Sequence, residues 1–191
     1  QVVDGEGNAV SMVNSVYMHF GSGLVAPGTG FVLQNRGANF SLRSGSPNVL
    51  AGGKRPFHTI IPAMITKKGE LVATFTNMGG FMQPQGHINL LCNLVDFKMD
   101  PQAAVDAPRF CILDGTAEGA VSLEEGISDK VIAELKAMGH KVCDASPMQG
   151  VGMGAIMTST FGRAQVIVRD PASGVLCAGS DGRADGCAMG W

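Results

Sequence analysis

The chain has 191 residues, enough for one large domain or two small ones with a sizeable buried core. An apolar share of 45% suits a globular protein, while the charged share of 16% falls below the ~25% of typical domains. A net charge of −2, no basic stripe and only one Tyr and one Trp argue against nucleic acid as a partner, and no run reaches the ~20 apolar residues of a membrane span.

Five cysteines (Cys92, Cys111, Cys143, Cys177, Cys187) lack CxxC spacing, and their odd number rules out a framework that pairs them all. Structural zinc needs clustered Cys and His. The cysteines read as buried free thiols in a reducing, cytoplasm-like compartment. The first residues read as the middle of a strand, which places the expected gene start upstream.

In chain order, Gln1–Val3 and Ala9–Tyr17 predict a hairpin around the turn residues 4–8. Along its second arm Val10, Met12 and Val16 share one parity, and Ser11, Ser15 and Tyr17 share the other, a hydroxyl face suited to bordering a site. Residues 31–33 and 60–65 are short strand candidates, and 70–76 is a stronger one. A helix is expected over 85–98, with Ile88, Leu91, Leu94 and Val95 at helical spacing and Leu90 and Phe97 widening the stripe. Asp100-Pro101 opens a second helix, and Ser128 caps a third over 129–138 that stops at Gly139. Residues 141–143, 164–169 and 175–177 read as strands. The order of strands, helices, then strands predicts an α+β fold in one domain over residues 1–191.

The four histidines are isolated from one another, with no HxxxH or HExxH spacing. Gly-Ser-Gly at 21–23 is not a nucleophile elbow. Gly79-Gly80 stands out because it follows a strand and precedes a helix. There, successive backbone N–H groups can face a developing oxyanion, although a tight strand-to-helix turn would use the same residues.

Several segments in order carry a resemblance. They are Val2-Val3-Asp4, Gly7 to Ser11, Phe20 to Gly23, Gly53 to Pro56, Pro62, Met78-Gly79-Gly80, Ala107-Pro108-Arg109, and Gly179 to Gly186 with Gly182 where Pro is usual. Together they resemble the small subunit of the γ-glutamyltranspeptidase family of N-terminal-nucleophile hydrolases. The resemblance implies a four-layer αββα sandwich completed by a larger subunit cut from the same precursor. It leaves open the pairing of two such heterodimers, and it implies a small-molecule amide substrate and no cofactor.

It also implies an autoproteolytically released N-terminal threonine, a few residues before Gln1, as the nucleophile with its own amine as base. Ser15 matches a threonine whose hydroxyl touches that nucleophile, and Gly79 and Gly80 match the oxyanion-hole glycines. Tyr17, Arg36 and Asn39 stand where transpeptidases have Asn, Gln and Asp around the glutamyl α-amine. His58 and Thr59 replace a Ser-Ser pair that holds the α-carboxylate. A cationic Arg36 and a neutral Asn39 disfavour an α-ammonium. The expected donor is therefore a glutaryl-type amide, as in the branch related to cephalosporin acylases. The alternatives are the glutathione hydrolase or transpeptidase activity itself and, from another class, a non-catalytic structural or interaction subunit.

Overall fold

The computed structural model describes residues 1–112, 114–143 and 161–191. Its contacts divide the chain into two units, residues 1–13 with 61–191, and residues 14–60.

The larger unit is α+β. Strands β1 (Val2–Val3) and β2 (Ala9–Val10) form a short antiparallel hairpin. The main sheet is antiparallel, in the order β3 (Ala63–Lys67), β4 (Glu70–Met78), β8 (Arg163–Arg169), β9 (Leu176–Ser180). A second sheet contains β5 (Phe110–Ile112), β6 (Val121–Leu123) and β7 (Val142–Cys143). Helices α1 (Gln83–Val95) and α2 (Pro101–Asp106) pack on the main sheet, and α3 (Asp129–Ala137) lies beside β7.

Strand β4 organises this unit because its two faces meet different layers. Phe75 joins Leu90, Ala104, Val105, Ala164 and Val166 in the apolar core. On the opposite parity, the Thr74 hydroxyl donates to the Gln1 side chain, and Thr76 donates to the Ile61 carbonyl at 3.1 Å. The Ser11 hydroxyl ties the hairpin to the sheet, accepting from Ala63 N–H and donating to the Phe75 carbonyl, both at 3.2 Å. The hydroxyl of Ser11 thus turns toward the sheet, whereas Val10 and Met12 are exposed.

The helix starts follow their caps. The Asp100 carboxylate accepts from the N–H groups of Gln102 and Ala103, and the Ser128 hydroxyl accepts from Val131 N–H. Helix α1 begins two residues before the sequence expectation, with Pro84 in its first turn, and ends at Val95 instead of 98. Its inward line is Gly86, Leu90 and Asn93, with Leu94 packed at the core edge, whereas Ile88, Val95 and Phe97 are exposed. Gly86 occupies this line because the Asn77 amide fills the space beside it.

The cysteines are all free, and only Cys111 is buried; Cys177 and Cys187 are exposed. Burial, with the Cys143 thiol nearby, pushes the Cys111 thiol up from its usual value. No helix among the described residues is long and apolar enough to cross a membrane.

Candidate functional site

The unit of residues 14–60 is built from turns rather than strands. It holds one four-residue 3₁₀ turn, Arg36–Asn39, and two isolated bridges, Val25 with Val32 and Ser41 with Val49. The strand expected at 31–33 is reduced to the first of these bridges. Gln34, Ser41 and Ser46 turn the backbone through side-chain bonds of their own, which is why no ladder propagates.

Tyr17 has φ of 78°, a left-handed conformation that is strained for a bulky residue and costs on the order of 1–3 kcal/mol. Two bonds hold it. Its hydroxyl donates to Asn39 Oδ1 at 2.8 Å, and the N–H of the next residue, Met18, donates to Asn35 Oδ1 at 3.1 Å. The expected substrate residues Tyr17 and Asn39 are therefore in direct contact.

Arg36 joins Thr59 to Ser15 and makes no bond to His58. Its Nε donates to Thr59 Oγ1 at 2.6 Å. Its Nη2 donates to the Ser15 carbonyl at 3.0 Å and also to the Ser15 hydroxyl. Nη1 takes no part in these bonds. Ser15, Arg36 and Thr59 thus form one braced group. His58, beside Thr59, is exposed, and its Nδ1 accepts from Ile60 N–H at 3.2 Å, which leaves Nε2 as the proton-bearing nitrogen of the neutral ring.

The electrostatics of this unit are one-sided. Residues 14–60 contain Arg36, Arg43, Lys54 and Arg55 and no Asp or Glu, and the rest of the chain carries all 16 acidic residues. Nothing within the unit can serve as a countercharge for an ammonium group, and several groups can hold a carboxylate. The sequence shows this asymmetry directly, but composition over the whole chain averages it away. The Arg36 brace had no sequence signal, because it depends on how three loops fold.

Gly79 and Gly80 belong to the other unit, where β4 leaves the sheet and turns through Gly80–Met82 into α1. Both have positive φ, 140° and 61°. A side chain on Gly79 would come within 3.0 Å of the Gly162 Cα, and one on Gly162 would come within 2.3 Å of the Met78 carbonyl oxygen. Both positions therefore require glycine. The turn sits at the N-terminal end of α1, where backbone N–H groups and the helix dipole favour negative charge.

The two late motifs of the sequence meet each other in the core. Arg109 and Asp181 are buried and paired at 2.6 Å. Asp181 also accepts from Ala164 N–H at 2.7 Å and Arg183 N–H at 2.9 Å, while Arg183 pairs with Glu124 at 2.6 Å. Burial pushes the Asp181 carboxyl up, but the Arg183 and Ala164 N–H groups and the Arg109 guanidinium outweigh it and hold it below its usual value. Burial lowers Arg109 against the pull of Asp181, and a guanidinium starts high enough to stay charged. Among the described residues no three His, Cys, Asp or Glu side chains come together as a metal site.

The sequence profile described as Gamma-glutamyltranspeptidase matches residues 1–191. The chain belongs to the γ-glutamyltranspeptidase family. Within the family it is 37% identical over 99% of its length to a glutathione hydrolase-like proenzyme of Bacillus subtilis, and 36% identical over 100% to an oxamate amidohydrolase proenzyme of Klebsiella pneumoniae. It spans 34% of the length of each. Among solved structures it is similar to a cephalosporin acylase from Bacillus halodurans, with 44% identity, a TM-score of 0.77, and 93% of this chain and 31% of that one covered. The γ-glutamyltranspeptidase of Pseudomonas nitroreducens complexed with L-DON matches with a TM-score of 0.79 and 28% identity, over 100% of this chain and 97% of that one. These likenesses identify the fold as the α+β fold of the N-terminal-nucleophile hydrolases.

Proposed function

We propose that this chain belongs to the small subunit of a self-processing amide hydrolase or acyltransferase, whose acyl donor carries a carboxylate in place of the α-amino acid of a glutamyl group. The observation that carries this reading is Arg36, held by Ser15 and Thr59 in a unit without a single carboxylate. The names of the relatives, which include acylase and oxamate amidohydrolase proenzymes, fit such a donor. Their greater length fits a larger partner subunit from the same precursor.

In the proposed reaction the threonine Oγ bonds to the amide carbon as its proton passes to the threonine's own α-amine. The carbonyl becomes an oxyanion opposite the Gly79 and Gly80 N–H groups. The C–N bond then breaks, the amine leaves with the transferred proton, and an ester remains for water or an acceptor amine to attack. Arg36 is the proposed partner of the donor's one free carboxylate, with Tyr17, Asn39, His58 and Thr59 as the other expected contacts of the acyl group.

The test compares γ-glutamyl and glutaryl p-nitroanilides on the purified full-length gene product. A higher kcat/KM for the glutaryl compound is expected. A clear preference for the γ-glutamyl compound would return the protein to the glutathione hydrolase and transpeptidase reading.

A further inference from the structure

Arg36 braces two neighbouring residues at once in this structure. One nitrogen, Nη2, donates to both the carbonyl and the hydroxyl of Ser15, while Nε is fixed on Thr59 Oγ1. A guanidinium cannot accept, so Ser15 Oγ is the acceptor in that bond and its own proton must point elsewhere. Donation from a full cation into a hydroxyl oxygen makes that hydroxyl a stronger donor, because bonds in a chain polarise one another. Glutamine in place of Arg36 would supply a neutral N–H at best, and the Thr59 bond, which sets the guanidinium plane, would be lost.

We propose that Arg36 is a positioning residue that acts through Ser15, holding its hydroxyl as a donor toward the nucleophile oxygen, in addition to binding the carboxylate of the donor. This rests on the proposed function, in which Ser15 adjoins the nucleophile. Charge builds on that oxygen as its proton leaves, and an aimed, polarised donor stabilises it most at that moment, so the effect falls on kcat. Arg36 thereby joins substrate recognition to nucleophile activation, and an acyl group with no charge still draws on the second role.

The experiment uses the self-processed full-length enzyme with two p-nitroanilides, glutaryl and valeryl, the latter carrying no charge. Arg36→Gln, Ser15→Ala and the double variant are compared with the parent. For the valeryl compound, R36Q should lower kcat about 10- to 100-fold, the worth of a charge-assisted bond, with KM little changed. For the glutaryl compound, KM should rise as well. On the valeryl compound the double variant should fall no further than S15A alone, because both changes remove one interaction.

An R36Q enzyme that keeps the parent's valeryl turnover overturns the proposal and leaves Arg36 a binding residue only. Multiplicative losses in the double variant on the valeryl compound also overturn it. If R36Q fails to process or fold, Arg36→Lys is measured instead. It keeps the charge but cannot reach Ser15 and Thr59 together, so reduced valeryl kcat in a normally folded enzyme supports the coupling and parental kcat refutes it. A parent enzyme that processes itself yet cleaves γ-glutamyl and not glutaryl anilide defeats the acyl preference alone, and the coupling is then judged on the γ-glutamyl compound by the same cycle.

Discussion

Asp181 and Arg109 lie 2.6 Å apart with both side chains buried, and this pair joins the two late sequence motifs at the base of β8. Arg109 also donates to the Phe161 carbonyl at 3.0 Å, and Asp181 accepts from Ala164 N–H, so the pair grips the backbone on both sides of Gly162. Asp181→Ala strands a buried guanidinium and should cost about 3–5 kcal/mol, read from urea unfolding of the full-length protein. Asp181→Asn keeps the shape and should cost less.

The same pair sets an acid limit. A carboxyl held below its usual value contributes stability that is complete above its unfolded value of about 4 and is lost as pH falls through the depressed native value. Wild-type stability should therefore drop below about pH 4, and the Asp181→Asn variant should show a shallower drop over that range. Unfolding midpoints between pH 6 and pH 2.5 measure the difference.

Gly162→Ala tests the seat of the glycine turn. Its φ of 71° and the 2.3 Å approach to the Met78 carbonyl oxygen leave no room for a methyl group. The neighbouring Gly79 and Gly80 should be displaced, so turnover should fall ~10²–10³-fold, as for loss of one oxyanion donor, while KM changes little. A variant that keeps its turnover would separate this turn from catalysis.

The helices were legible from the sequence wherever a cap or a proline announced them, at Asp100-Pro101 and Ser128. Strands 70–76 and 164–169 were legible as apolar runs and were found within a residue or two, at Glu70–Met78 and Arg163–Arg169. Strands β5 and β6 were not foreseen, because three-residue strands in a small sheet carry no period. The apolar stripe misplaces the inward face of α1 for a similar reason. A stripe that includes Ile88 and Val95 counts apolar residues, whereas the observed face is set by Gly86 against Asn77 and by Asn93, whose amide donates to the Ala104 carbonyl at 3.1 Å. At the candidate site the residue types were readable through the family resemblance. Their bonding was not, because Ser15, Arg36 and Thr59 are joined only by the folding of loops far apart in sequence.

Tyr17→Phe removes the hydroxyl that meets Asn39 Oδ1 and leaves the ring in place. A neutral hydrogen bond contributes about 0.5–1.5 kcal/mol, so KM for the glutaryl anilide should rise by up to about tenfold with kcat nearly kept. An unchanged KM would remove Tyr17 from the acyl pocket.

Arg36→Gln combined with Asn39→Asp replaces the cation and supplies the missing carboxylate. The ratio of kcat/KM for glutaryl over γ-glutamyl anilide should fall by at least about tenfold, since a like charge becomes a countercharge for the α-ammonium. A constant ratio would place acyl selection elsewhere.

Intact mass spectrometry of the purified full-length gene product decides whether this chain comes from a self-processing enzyme with an N-terminal nucleophile. Two polypeptides are expected, the smaller beginning at a threonine a few residues before Gln1. An uncut precursor, or a smaller polypeptide that begins at Gln1, would contradict that expectation and favour a non-catalytic subunit on the same fold.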